Sequence, residues 1–235
     1  MRSQDWLKCC SGDAQLSLCC TSPFGCMIAA MADLWTQIHT ERKALIDDVE
    51  NLTAEQWKEP SLCAGWSVHD VLGHQLATAK LTPPAFIGKF LASGFSFGKF
   101  AQKAIDHETA GGPAATLAAY KQAYRRTSSP PGPKTTWLGE AIIHSEDMRK
   151  ALGLHRDYPL DAVTECLDFF KGSNAIIGAK NRIAGLTLKA TDASWTTGSG
   201  PLVEGPALAL LMGMTGRKPH LDQLSGDGVE ILRGR

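Results

Sequence analysis

The run from Trp137 to Gly153, WLGEAIIHSEDMRKALG, decides how the rest of the chain is read. Leu138, Ala141, Ile142, Met148 and Leu152 recur at helical spacing, and Arg149, Lys150 and Gly153 are residues that close a helix. On such a helix Glu140 and His144, four positions apart, stand only about 40° apart around the axis and project together. Trp137, Ala141 and Met148 flank that line rather than oppose it, which turns the pair inward. A buried carboxylate and a buried imidazole each need a partner, and a divalent metal satisfies both. The spacing alone is weak evidence, since exposed Glu-His neighbours are ordinary on helices.

Outward from this run the chain reads as further helices. Asp33 is the expected N-cap of a first one, with Leu34, Ile38, Leu45, Val49 and Leu52 on one stripe and Glu41, Arg42, Lys43, Asp47 and Asp48 largely off it. Thr53 with Gln56 predicts a capping box for a short turn carrying Trp57, stopped by Pro60. Ser67 with Asp70 predicts another, opening a helix whose core stripe is Val68, Val71, Leu72, Leu76 and Ala79. His74 lies on the edge of that stripe, about 60° from Val71, and is a candidate third ligand; a core histidine held by a hydrogen bond is the commoner role. His69, nearly opposite, is expected in solvent.

Pro83 and Pro84 end this helix before a segment rich in Phe and Gly, read as an irregular packed helix or, more sharply, as the wall of a substrate pocket. A helix through Leu117, Tyr120 and Tyr124 ends near Arg125 and Arg126, cations ordinary at a helix C-terminus. After the central run, a helix is expected over residues 159–180 with an interruption near Gly172. Alternation at Leu186, Leu188 and Ala190 then predicts a strand, followed by strands near Trp195 and over 202–204, an apolar helix from Pro206 to Met214, and a last strand at 229–232. The fold class is mainly α, a helical bundle over residues 31–180 followed by a small α+β region over 181–235.

Composition bounds the function. The 235 residues carry 24 basic and 24 acidic side chains, a net charge of zero, so no electrostatic footprint for nucleic acid or an anionic membrane is present and a small-molecule partner is expected. No apolar run is long enough to span a bilayer. Of 7 cysteines, Cys9, Cys10, Cys19, Cys20 and Cys26 crowd the start, leaving Cys63 and Cys166. The odd total and the lack of a CxxC pair argue against a disulfide framework or zinc ribbon, so the body reads as cytoplasmic. Residues 1–30 are expected to be a poorly ordered Cys-rich extension, with Met27 or Met31 opening the domain. Cys63 is read as a small buried hydrophobe, and Asp70 and Asp147 as helix-surface residues able to orient a ligating imidazole.

His74, Glu140 and His144 together supply two imidazoles and one carboxylate, the ligand count of a catalytic zinc site with an open fourth position. The run GWSVHDVLGH around His74 and the run LGEAIIHSEDMRKALG around His144 resemble the metal-binding motifs of the mycothiol-dependent maleylpyruvate isomerase family, a branch of the DinB-like metalloenzymes. The C-terminal run LTLKATDASWTTGSGPLVEGPALALLMGMTGR is similar to that family's small C-terminal region. The resemblance implies a DinB-like bundle of four main helices holding a divalent ion, usually zinc, through His74, Glu140 and His144. It also implies mycothiol or a similar thiol as co-substrate, in a cis-trans isomerase or S-transferase acting on a small electrophile. Monomer and homodimer are both open. Two rival readings are a thiol-independent metal-dependent hydrolase and a non-catalytic metal-binding stress or interaction module.

Overall fold

The computed structural model of the chain describes residues 23–175 and 177–235, and side chains from Leu34 onward. The expected extension lies largely outside the described residues. Its boundary at residue 30 falls inside α1 (Pro23–Val49), so Asp33 is an interior position and not a cap. α1 buries Leu34, Ile38, Leu45 and Val49 as its stripe predicts. Glu41 and Arg42, expected off the stripe, are buried as well. Each has a partner outside the helix: Arg156 donates to both Glu41 oxygens at 2.7 and 2.8 Å, and Arg42 donates to the carbonyls of Tyr124 and Arg126 at 3.3 and 3.2 Å. Periodicity within one helix carries no information about such distant partners.

Both capping boxes form. Gln56 N–H donates to Thr53 Oγ1 while Thr53 N–H donates to Gln56 Oε1, and a single 3-10 turn follows. Asp70 N–H donates to Ser67 Oγ and Ser67 N–H donates to Asp70 Oδ2, opening α2 (Val68–Lys80), whose predicted stripe is wholly buried. α3 (Pro83–Leu91) and α4 (Phe97–Thr109) follow, joined at Gly94, which takes a φ of 63° at the turn. α5 (Gly112–Ala123) and α6 (Thr135–Leu152) complete a bundle in which α1 and α2 each pack on both α5 and α6. α4 lies against α2. Gly153 ends α6 in the left-handed region, as expected.

The helix expected over 159–180 is two pieces, α7 (Leu160–Phe170) and the single turn α8 (Ala179–Arg182). α7 packs closely on α6, since a Cβ at Gly139 would stand 2.6 Å from the Phe170 ring. The strands are β1 (Thr187–Ala190), β2 (Thr196–Gly198) and β3 (Leu202–Gly205), in the order β2-β1-β3, with β2 antiparallel and β3 parallel to β1. The loop from β2 to β3 must therefore cross the start of β1. It does so at Gly200, where a Cβ would stand 2.1 Å from the Gly185 carbonyl oxygen.

α9 (Ala207–Met214) packs against α7, β1 and β3. The last expected strand is instead α10 (Val229–Arg233). Val229 and Leu232, three apart, are both buried, a spacing that one helical turn satisfies and an alternating strand does not. One hydrophobic cluster contains Ile38, Leu138 and Ile142 of the bundle together with Leu188, Val203 and Leu210 of the C-terminal region. The core is thus continuous across residue 180.

Candidate metal centre

α2 and α6 bring the three sequence-selected residues to one point. The Gln75 side chain, buried on α2, donates to the Glu140 carbonyl at 2.6 Å and ties the two helices together beside the site. His74 Nε2 lies 2.9 Å from Glu140 Oε2, and His144 Nε2 lies 3.4 Å from the same oxygen. One ligand atom from each residue falls within 4.8 Å of the other two. The side chains keep 18%, 25% and 13% of their exposure, so the cluster is open on one side rather than sealed in the core. Trp66, from the loop before α2, lays its ring 5.1 Å from His74 and 6.4 Å from His144.

Behind His144 stands a second layer. Asp147, expected at the helix surface, is fully buried. His144 Nδ1–H donates to Asp147 Oδ2 at 3.0 Å, and Cys63 Sγ donates to the same oxygen at 3.0 Å. Arg217 donates to both Asp147 oxygens, at 3.0 and 2.7 Å. Cys63 is therefore part of a polar network, 3.4 Å from His144 Nδ1, and not the isolated apolar residue that its sequence context suggests. Asp70 is occupied by its capping box. His69 is not free in solvent: it shares a 3.0 Å hydrogen bond with Thr116 and packs edge-on against Trp57.

The charges are strongly coupled. Burial alone would raise the Glu140 carboxyl, but the imidazoles of His144 and His74 hold it well below its usual range. Burial would lower His144, but Glu140 on one nitrogen and Asp147 on the other hold it well above. Asp147, against the cost of burial, is held ionised by hydrogen bonds from His144 and Arg217 and by the Arg217 charge. These are the relations expected of a carboxylate–histidine pair that fixes the ring and its tautomer.

The donor set fits a divalent ion. A bound divalent ion would take the place of the Nε2 proton of His144 while Nδ1–H stays on Asp147, and His74 turns its own Nε2 to the same place. Two imidazole nitrogens and a carboxylate oxygen suit zinc or a similar ion and leave a position open. A second trio, Cys63, His144 and Asp147, is close enough to consider. It fits poorly, because both Asp147 oxygens already accept from Arg217.

Beside the cluster is a cavity of about 350 Å³ reached by Glu140, His144 and His74. Phe86, Phe97 and Phe100 line it, so the Phe-rich segment is a pocket wall. Arg217, which also lines it, has no spacing relation to α6 that could have marked it, lying 70 residues beyond Asp147. Gln75 and Trp66 are likewise visible only through their tertiary contacts. Arg125 does not reach the cavity, while Arg126 lines a smaller neighbouring one.

Residues 38–148, which include all three candidate ligands, match the family described as the mycothiol maleylpyruvate isomerase N-terminal domain. Two solved structures share the fold. One is the mycothiol-dependent maleylpyruvate isomerase, with a TM-score of 0.58, 15% identity, and coverage of 83% of this chain and 92% of that one. The other is a histidine-to-alanine mutant of the mycothiol-dependent maleylpyruvate isomerase, with a TM-score of 0.59, 14% identity and the same coverage. No curated protein matches the chain. The family resemblance read from the motifs around His74 and His144 is thereby shown, as is the mainly helical fold with its small C-terminal sheet. Among the described residues no helix is long and apolar enough to cross a membrane.

Proposed function

We propose, given that residues 38–148 match the mycothiol maleylpyruvate isomerase N-terminal domain family, that this protein is a zinc-dependent enzyme that uses a low-molecular-weight thiol such as mycothiol to isomerise or conjugate a small electrophile. The observation that supports the reading best is the convergence of His74, Glu140 and His144 on one point at the wall of an apolar cavity.

When bound by these three residues, a divalent ion supplies a Lewis acid that favours the ionised form of a thiol near neutral pH. The protein's part is to hold that chemistry still. Asp147 keeps the proton of His144 on Nδ1, and Arg217 pins Asp147 from the opposite side. Trp66 lies against the two imidazoles, and the aromatic lining gives the electrophile an apolar place in which to meet the sulfur. In isomerisation the sulfur adds to an activated double bond, rotation occurs about the resulting single bond, and elimination returns the thiol. In conjugation a carbon–sulfur bond forms as the leaving group departs with its electron pair.

Elemental analysis of protein purified without affinity-tag metals tests this directly. About one zinc per chain is expected in the parent, with most of it lost in folded His74→Ala and His144→Ala variants. Turnover should require added thiol. Activity that survives complete removal of thiol would transfer the site to the hydrolase reading, with bound water as nucleophile.

A further inference from the structure

We infer, resting on the thiol-dependent reading above, that the electrophile is an uncharged, flat aromatic molecule seated in the cavity beside Glu140 and His144. Trp66, Phe86, Phe97, Phe100, Trp137 and Phe169 line a space of about 350 Å³, so much of its wall is aromatic. Offset and edge-on contacts among rings favour a flat aromatic guest beyond simple area burial. The volume suits a one- or two-ring molecule.

The charges in the cavity point the same way. Among the described residues, the ionisable groups lining this cavity are His74, Glu140, His144 and Arg217. Arg217 is spent on the two oxygens of Asp147 and the carbonyl of Thr215. A divalent ion, the Glu140 carboxylate and one thiolate sum to zero charge. A carboxylate entering the cavity would therefore shed its water without gaining a counter-ion, a cost that an uncharged ring avoids. Cations are instead gathered next door. A neighbouring cavity of about 250 Å³, sharing His74, Thr78, Leu81, Phe100 and Ala101 with the first, is lined by Lys80, Lys89, His107 and Arg126, with Glu108 as the carboxylate beside Lys80. An anionic electrophile would have to place its charge there, in the adjoining space.

The test separates ligand class from chemistry. Trp66 and Trp137 line the cavity, so binding to the zinc-loaded full chain, saturated with methanethiol to fill the sulfur position, can be read from their fluorescence. The probes are 1-nitronaphthalene, uncharged and inert to thiols, and maleate. Nitronaphthalene is expected to bind at least about tenfold more tightly than maleate. Gly98→Phe should weaken nitronaphthalene at least about tenfold with zinc content unchanged, because Gly98 lines the cavity and a Cβ there meets nothing within 4 Å. Ala175→Arg, which adds a cation to the same wall, should narrow the preference by a similar factor. Maleate binding as tightly as nitronaphthalene, or Gly98→Phe leaving both affinities unchanged, would overturn the inference.

Turnover is then measured with 1-chloro-2,4-dinitrobenzene, where the carbon–sulfur bond forms, chloride leaves with the bonding pair and the thiol proton passes to solvent. Thiol-dependent turnover about tenfold or more faster than with a carboxylated electrophile supports the inference. The reverse preference sinks it while leaving the thiol-dependent function standing. Tight nitronaphthalene binding without thiol-dependent turnover of any electrophile supports the cavity's ligand class and rejects the enzymatic reading.

Discussion

Asp147 accepts four hydrogen bonds in a fully buried position, from His144, Cys63 and two nitrogens of Arg217. Its replacement by asparagine leaves a single acceptor oxygen, so the amide cannot satisfy both the imidazole and the guanidinium. Asp147→Asn is expected to lower metal affinity by roughly 10- to 100-fold, measured by competition with a chromogenic chelator. Stability should also fall by about 3 kcal/mol, because Arg217 is left buried without its counter-charge. At this scale the sequence was informative about ligand types and silent about their supports. Glu140 and His144 are four apart on one helix, and helical geometry fixes their common direction. Nothing local marks Arg217 or Cys63 as neighbours of Asp147, because the contacts join segments far apart in the chain.

Elements were legible where their signals are local. The Ser67 and Asp70 capping box, the αL glycine at the end of α6 and the stripe of α2 all rest on residues within a few positions of one another. Ser67→Ala should therefore cost about 1 kcal/mol and lower the melting temperature by about 2–4 °C. Metal content of the same variant should be unchanged, since His74 is held by packing and by the Gln75 bond to Glu140 rather than by the cap. Thermal unfolding and elemental analysis on one preparation check both halves. Where two structures share one pattern, the sequence does not choose between them. The four residues 229–232 suit a strand or a helical turn, and burial of Val229 with Leu232 decided for the turn. Glu41 and Arg42 look like surface charges until Arg156 and the carbonyls after α5 are brought to them.

The whole molecule joins its C-terminal region to the bundle through one core and one polar seam. In that seam His220 is 1% exposed and stands 3.8 Å from Glu146 of α6, with Gln223 donating to its Nδ1. Burial, with Lys150 and Arg217 adding to it, lowers the imidazole to about 4 from 6.5. Between those two values the unfolded chain binds a proton at this site that the folded chain does not, so stability rises with pH across the window and levels off above it. The contribution is up to about 3 kcal/mol. Urea midpoints at about pH 4.5 and pH 7 should differ less in His220→Asn than in the parent, and an equal difference in both would refute the assignment. By itself the sequence determined the helical class, the small sheet, the Thr53 and Ser67 capping boxes and the common direction of Glu140 and His144, because those follow from periodicity and from chemistry within a turn or two; that His74, 66 residues from Glu140, meets that pair was decided by the packing of α2 on α6. Only the tertiary structure decided what surrounds them: the Arg217–Asp147 support, the aromatic cavity and the core continuous across residue 180. These depend on which distant faces meet, and that is set by the packing of α6 against α2 and α7 rather than by any single stretch of the chain.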